Sequence, residues 1–410
     1  QIPRGRARVT SPSLRLVLHY HTPFRQTTEG LFMPGPFGCF VDSLAENCRE
    51  VICILHEAPP SRERECDYRI RASNVRCVNL GTARSIPYRT LFVSRFTHRA
   101  QSAFREMDLL LLRGPSPLLP EMARAAGDLP LALLLVGDYL AGIDDLPQPF
   151  WRMELIRLWA RWNDFGQRNA MRHALTFVNS QKLYDDLCAQ TAELHLTRTS
   201  TLRAEDFYAR EDTCQNRPIR LLYAGRLSVI KGLFDIVTAV SILTAQGEDI
   251  TLDLVGQTES GEEHLLEQLL DFAGRLGVAE RIHPLGRKTL GPDLFACYRA
   301  ADLFVNATSS SEGFPRTIWE AMANSLPVVA TRVGSIPDFV AGAAELTPPR
   351  DPETLAAAIA RLIHDSDLRQ KHIRAGQILA RQNTLEIRAR EIVDIMQAYL
   401  EQDSKGLRDL

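Results

Sequence analysis

The sequence predicts an α/β chain built of two doubly wound domains facing each other across a cleft. Three observations carry that expectation. The length, 410 residues at roughly 150 per domain, allows two to three domains. Near the N-terminus a strand, a glycine-bearing loop, a helix and a second strand follow one another, and such a βαβ unit requires a parallel sheet with a right-handed crossover. Beyond residue 218 the alternation is cleaner, with strand-length apolar runs separated by helical patterns that end in glycine.

The elements follow in order. LRLVLHY (Leu14–Tyr20) reads as a buried strand, and the Gly/Pro-rich stretch Gly30–Phe40 as a loop. FVDSLAENC is helical and VICILHE (Val51–Glu57) a second strand. Short apolar runs recur at Asp108–Leu112, Leu131–Val136 and Ala174–Ser180. Between the last two, Arg152–Arg172 is amphipathic and carries Trp159 and Trp162, with Trp151 just ahead. In the second half IRLLYAG, ITLDLVG, ERIHPLG, DLFVNAT and LPVVAT read as strands. Helices are expected between them, at FPRTIWEAMANS among others, and from Asp351 to the end. The expected domains are residues 1–210, a polar linker at 211–217, and residues 218–385. Residues 386–410 form a C-terminal helix, expected to pack back on the first domain, and a frayed tail.

Composition removes several classes. The hydrophobic fraction is 45% and the charged fraction 24%, which excludes a disordered chain, a collagen-like fibre or a coiled-coil rod. Lys+Arg 48 against Asp+Glu 50 leaves a net charge of -2, so nucleic acid is not an expected partner. No apolar run approaches the roughly 20 residues of a membrane helix, and the basic N-terminus has no apolar stretch behind it to make a signal peptide. The eight cysteines include no CxxC pair and read as free thiols of a reducing cytoplasm.

Two segments carry chemistry. In YAGRLSVIKG (Tyr223–Gly232), Arg226 and Lys231 leave the first strand of the second domain at its carboxyl end. A planar guanidinium and a point-charge ammonium together suit a diphosphate. In SEGFPRTIWEAMANSLPVVAT (Ser311–Thr331), Glu312 follows a strand, Pro315 suits a helix start, and Glu320 lies eight residues after Glu312. The start of that helix presents unpaired N–H groups to an anion. Carboxylates beside an anion site suit neutral hydroxyls. On spacing alone, solvated surface glutamates and an ordinary charged loop are equally open readings.

Taken together the two segments resemble the retaining glycosyltransferases of family 4, which have the GT-B fold. The resemblance rests on GRL…KG at Gly225–Gly232 and on Glu312-Gly313-Phe314-Pro315, Glu320-Ala321-Met322-Ala323 and Pro327-Val328-Val329-Ala330. It covers about Pro218–Leu385; the N-terminal half resembles the family in outline only. It implies that the first domain binds the acceptor and the second a nucleotide sugar. It implies that Arg226 and Lys231 stabilise the departing diphosphate, that Glu320 binds ribose and that Glu312 faces the donor sugar. Backbone N–H groups of Gly313, Phe314, Thr317 and Ile318 would hold sugar and phosphates, and the loop bearing Arg287 the base. In the first domain, Gly38 would let backbone approach the donor. Asp138 is preferred over His19 and His21 as a base toward the acceptor hydroxyl; a helix N-cap is an equal reading of Asp138.

The implied reaction moves a sugar, from a UDP-sugar rather than GDP-mannose, to a hydroxyl of a glycan or lipid-linked acceptor in polysaccharide or glycoconjugate synthesis. Leaving-group stabilisation by cations and N–H groups makes a metal-independent, cofactor-free transferase the expectation. A nucleotide-sugar epimerase and an inactive nucleotide-sugar or glycan binder are the alternatives. The expected compartment is the cytoplasm. The Arg- and Trp-bearing helix at 152–172 reads preferentially as a core helix with a solvated basic face, and otherwise as a peripheral contact with the membrane.

Overall fold

The computed structural model describes residues 12–137, 149–191, 193–198, 200–258, 261–309, 314–340 and 342–406. The chain divides into two compact units. The first comprises residues up to Val178, Leu183–Thr197 and residues from Ala389; the second comprises Asn179–Lys182 and Arg198–Arg388. The main division thus falls ahead of residues 211–217, where the sequence suggested a linker. That segment is fastened within the second unit. Asp212 accepts from the buried guanidinium of Arg369 at 2.6 and 2.8 Å. Arg210 donates to the carbonyls of Arg299 and Ala301 at 3.2 and 2.7 Å.

The strands of the first unit are β1 (Arg15–Thr27), β2 (Gly30–Met33), β3 (Glu50–Glu57), β4 (Tyr68–Arg69), β5 (Val75–Thr82), β6 (Leu109–Gly114), β7 (Leu131–Leu135), β8 (Leu175–Val178) and β9 (Leu194–Leu196). Its helices are α1 (Gly35–Ala45), α2 (Ile86–Leu91), α3 (Val93–Phe104), α4 (Leu119–Ala125), α5 (Phe150–Met171) and α6 (Gln181–Leu187). Seven strands pair in parallel in the order β5-β3-β1-β6-β7-β8-β9. Apart from Leu131 at the start of β7, the leucines of β6 and β7 are almost wholly buried, as strands covered on both faces must be. β1 outruns its expected end. Its register against β3 shifts between His19 and Pro23, and the strand then turns back on β2 in an antiparallel pair. What read as a Gly/Pro loop is therefore β2 and the first residues of α1.

The second unit is a single parallel sheet of β10 (Ile219–Ala224), β11 (Ile250–Val255), β12 (Ile282–Gly286), β13 (Leu303–Asn306), β14 (Val328–Thr331) and β15 (Glu345–Thr347). Its helices are α7 (Leu233–Ala245), α8 (Leu265–Arg275), α9 (Pro292–Ala300), α10 (Thr317–Ala323), α11 (Ile336–Val340), α12 (Pro352–His364) and α13 (Ser366–Arg381). A last helix, α14 (Leu385–Gly406), starts in this unit, and its residues from Ala389 group with the first. The strand order is β12-β11-β10-β13-β14-β15. The order reverses between β10 and β13, and that switch point is where open α/β sheets bind ligands. The strands and helices expected after residue 218 are present; β15, three residues long, carried no readable pattern.

Helix α5 corrects an expectation. Its core side is Met153, Ala160, Asn163 and Gln167, all buried. The opposite side is not simply a solvated basic face: Trp151, Leu155, Leu158, Trp162 and Phe165 are exposed on it.

Three histidines of the first unit lie on β1 and β3, His19 and His56 buried and His21 half-buried. His19 is fully buried, with Nδ1 2.8 Å from the Ile54 carbonyl and Nε2 3.3 Å from Ser116 Oγ. Burial pushes it down to about 3 from 6.5, and pushes His21 and His56 down to about 4. A histidine whose folded pKa lies below its unfolded value binds its proton mainly when unfolded. Stability is therefore complete above about pH 6.5 and falls as the pH drops toward 4. His19→Asn keeps a donor for the Ile54 carbonyl and removes one titrating group. It is expected to flatten the decline of melting temperature between pH 7 and pH 5; a slope equal to the parent's would show that His19 is not part of it.

Candidate functional site

The carboxyl ends of β10, β11, β12 and β13 are tied together by backbone contacts. β10 leaves its sheet through Gly225 and Arg226. Gly225 donates to the Val255 carbonyl at 3.0 Å and Leu227 to that of Gln257 at 2.9 Å. Gly256, at φ +151, donates to the Gly286 carbonyl at 3.0 Å. A side chain at Gly256 would place its Cβ 1.8 Å from the Gly225 oxygen, so this approach of two strand exits requires glycine. The Tyr223 hydroxyl donates to the Arg226 carbonyl at 2.7 Å and fixes the backbone under the guanidinium, which is itself exposed.

Lys231 ends the short 3-10 turn Val229–Lys231 and is buried. Gly232 follows at φ +68, its absent side chain facing the Ala307 carbonyl, 2.0 Å from an ideal Cβ. The Ile230 carbonyl accepts from Ser309 N at 2.8 Å, from Ser309 Oγ at 3.2 Å and from Thr308 Oγ1 at 3.3 Å. The loop after β10 and the loop after β13 are thereby joined across the switch point. Thr331 Oγ1, at the end of β14, donates to the Thr308 carbonyl at 2.6 Å and extends the frame by one strand.

Glu312 and Gly313 lie outside the described residues. The segment resumes at Phe314, which is buried against Trp319 and Phe339 with ring centroids 4.3 and 5.2 Å apart. Helical bonding starts here, Ile318 N donating to the Pro315 carbonyl at 3.1 Å and Glu320 N to that of Arg316 at 3.2 Å. Thr317 is half-buried and Ile318 fully buried at the start of α10. Glu320 is buried one turn inside. Its Oε1 accepts from Thr201 Oγ1 at 2.8 Å, and its Oε2 from the Tyr298 hydroxyl at 2.8 Å. Burial pushes the Tyr298 phenol well above its ordinary range, and the Glu320 charge and hydrogen bond add to the shift. Each carboxylate oxygen has two acceptor positions. The two hydroxyls thus orient Glu320 without exhausting it.

Thr201 and Tyr298 are the residues that sequence reading missed. They stand 119 and 22 positions from Glu320, and no local spacing connects them to it. Arg287 follows Gly286 at the end of β12 and is exposed on the same side of the sheet ends as Arg226. In the first unit, Gly38 lies inside α1. Its N–H donates to the Pro34 carbonyl at 2.9 Å, and an ideal Cβ there would stand 2.5 Å from the Tyr68 ring. Asp138 lies outside the described residues.

Comparison with known proteins agrees with this geometry. The family described as Glycosyl transferases group 1 matches residues 218–365. A D-inositol 3-phosphate glycosyltransferase of Salinispora tropica is 29% identical over 201 residues, 47% of this chain and 41% of that protein. An MMP alpha-(1->4)-mannosyltransferase of Mycolicibacterium hassiacum is 28% identical over 221 residues, 52% of this chain and 51% of that one. The chain thus spans about half the length of the curated relatives it matches, or less. Among solved structures, Anabaena HepE in complex with UDP and glucose superposes with a TM-score of 0.68 at 18% identity, covering 97% of this chain and 100% of that one. Sucrose-phosphate synthase from Thermosynechococcus elongatus superposes at 0.72 with 16% identity, covering 95% and 100%. These likenesses establish the fold class expected from sequence, GT-B with two Rossmann-like domains.

The Glu320 anchorage and the approach of the strand exits each predict a stability effect. Tyr298→Phe removes a buried hydrogen bond to a charged group and is expected to cost about 1.5–3 kcal/mol. Gly256→Ala is expected to cost at least as much, because backbone rather than a flexible side chain must move. Urea denaturation of the two variants checks both, and midpoints equal to the parent's would mean that these contacts do not hold the frame.

Proposed function

Residues 218–365 match the group 1 glycosyl transferases, and we propose that the chain moves a sugar from a nucleotide diphosphate sugar to an acceptor hydroxyl with retention of configuration. One observation carries the reading. Arg226 and Lys231 follow β10, the segment Phe314–Glu320 follows β13, and these strands flank the switch point of one sheet. A diphosphate is the ligand that such a pairing of cations with a helix start would recognise. Arg226 and Lys231 stabilise the charge that builds on the departing diphosphate. Preorganised donors at such a charge are worth about 3 to 4 kcal/mol each.

Glu320 binds the vicinal hydroxyls of the ribose through the acceptor positions that Thr201 and Tyr298 leave open. Glu312 faces the donor sugar, and the backbone N–H groups of Gly313, Phe314, Thr317 and Ile318 hold its hydroxyls and the phosphates. The loop bearing Arg287 borders the base. No residue need form a covalent intermediate: the leaving phosphate takes the proton of the incoming hydroxyl as the new glycosidic bond forms on the same face. The proposal includes no metal. A UDP-sugar is the first donor to test, since HepE, of like fold, was crystallised with UDP. The acceptor is a glycan or a lipid-linked sugar; Asp138 is the alternative base, for a route in which the hydroxyl proton goes to the protein instead of to the leaving phosphate.

Arg226→Ala and Lys231→Gln are expected to weaken UDP binding at least tenfold in a thermal-shift titration while leaving uridine binding within about twofold, a gap of about 1 kcal/mol or more. Equal losses for UDP and uridine would remove the diphosphate from this loop. Glu312→Ala is expected to abolish slow hydrolysis of the donor sugar with UDP binding retained; unchanged hydrolysis would take Glu312 out of the reaction. Interconversion of donor sugars without any release of nucleotide would identify an epimerase instead.

A further inference from the structure

Exposed large apolar side chains are concentrated in one part of the first unit. Of the twelve such residues among those described, eight lie in residues 86–92 and 151–165. On α5 they are Trp151, Leu155, Leu158, Trp162 and Phe165, each between 49% and 69% exposed. Their spacing of four, three, four and three is the apolar spacing of a coiled-coil seam, about 21 Å long at 1.5 Å per residue. Met153, Ala160 and Gln167, seven residues apart on the opposite side, are buried and hold α5 to its unit. Such a seam is narrower than the apolar side of a helix that lies against a domain core, and it is shaped to receive one further helix. The Trp159 indole donates to Thr90 Oγ1 at 3.2 Å, which places Leu91 and Phe92, both exposed, along one flank of the seam. Scattered exposed apolar residues need no explanation, but a contiguous group of this size marks a surface that meets something.

The charges beside the seam select its occupant. Glu154 and Arg161 border it on one side, and both are exposed. Glu154 pairs with Arg157 at 2.5 Å, a surface contact within the helix that a new partner can replace at small cost. Two copies of α5 can be laid antiparallel about a two-fold axis that passes between Ile156 and Arg157. Leu155 of each copy then seats on Leu158 of the other, and Trp151 of each on Trp162 of the other. In that register Glu154 of each copy lies beside Arg161 of the other, twice over by symmetry. Sliding the helices by one heptad destroys the match: one direction sets Arg161 against Arg161, the other sets Glu154 against Glu154. A parallel pair sets Glu154 against Trp159 and Arg161 against Gly166, and it gains no ion pair. The size of the surface agrees. Four of the eight exposed apolar residues are aromatic, and aromatic side chains bury about 150–250 Å² each when fully covered. Each copy therefore offers an apolar area of the order of the roughly 800 Å² per partner of a standard interface. We propose that α5 is the contact through which two copies of this chain form an antiparallel two-fold dimer. The surface belongs to the first unit, whereas Arg226, Lys231 and Glu320 belong to the second, and it is independent of the nucleotide-sugar reading.

The test is sedimentation velocity of the full chain over about a hundredfold range of concentration. The parent is expected to sediment as a dimer at micromolar concentration. Leu158→Glu puts a charge into the seam and is expected to give monomer throughout, with an unchanged circular dichroism spectrum to show that the fold is kept. Glu154→Arg and, separately, Arg161→Glu are expected to weaken the dimer at least tenfold. The two together are expected to restore it to within about threefold of the parent, because the exchanged charges meet again across the axis. A parent that stays monomeric over the whole range overturns the proposal, and a monomer that floats with lipid vesicles assigns the seam to a membrane and overturns it too. A dimer indifferent to Leu158→Glu is held elsewhere on the molecule, and a double variant no better than the single ones removes the register; either result also overturns the proposal.

Discussion

The second unit depends on how closely its strand exits approach one another. β10 and β11 end at Gly225 and Gly256, whose backbones approach until no Cβ fits at Gly256, and the turn after β10 meets the end of β13 at Gly232 under the same restriction. Three hydrogen bonds that frame the candidate site follow from that spacing: Gly225 to Val255, Gly256 to Gly286, and Ser309 to Ile230. Backbone groups buried in this way must find partners. At the switch point they find them in neighbouring loops rather than in a continued sheet. The loops are thereby braced against one another before any ligand arrives.

Glu320 illustrates what such a frame can hold. A buried carboxylate is costly unless its charge is met by donors. Here the donors are two neutral hydroxyls rather than a cation, so the charge is oriented but not cancelled. An arginine in place of Tyr298 would lock the carboxylate in an ion pair and fill its acceptor positions. Hydroxyl partners leave it able to accept from further hydroxyls, which is the property that the proposed ribose contact requires.

Much of this was legible in the sequence because it is local. Strand, glycine, cation and helix follow each other within ten residues at Tyr223–Gly232, and the order of elements alone puts Arg226 and Lys231 at a carboxyl end. The helix start after Pro315 was readable for the same reason. Thr201 and Tyr298 were not, since long-range hydrogen bonds leave no periodic trace. The hairpin of β1 and β2 was hidden by its prolines and glycines, which signal a loop and a strand-to-helix junction equally well. Helix α5 failed in a different way. Periodicity reports that a helix has an apolar side and assumes that this side is buried, whereas α5 is anchored by Met153, Ala160, Asn163 and Gln167 and shows its larger apolar residues to the outside. The apparent linker misled because charged residues usually mean solvent; here Asp212 is held by a buried arginine.

The two cations of the candidate site divide a task that neither would perform alone. Lys231 is buried at the end of a turn fixed by the Ile230 carbonyl, so its ammonium has surrendered most of its rotamer freedom on folding. Arg226 stands on a backbone that Tyr223 and Leu227 immobilise, yet its side chain reaches solvent. A fixed charge helps most where charge develops late, because it needs no reorganisation as the bond breaks. An exposed guanidinium on a fixed base can meet an arriving diphosphate and present the N–H donors of its fork to two phosphate oxygens at small cost. On the proposed reading, Arg226 acts first in capture and Lys231 counts most in the transition state. The order of burial along one ten-residue loop is then the order in which the site is used.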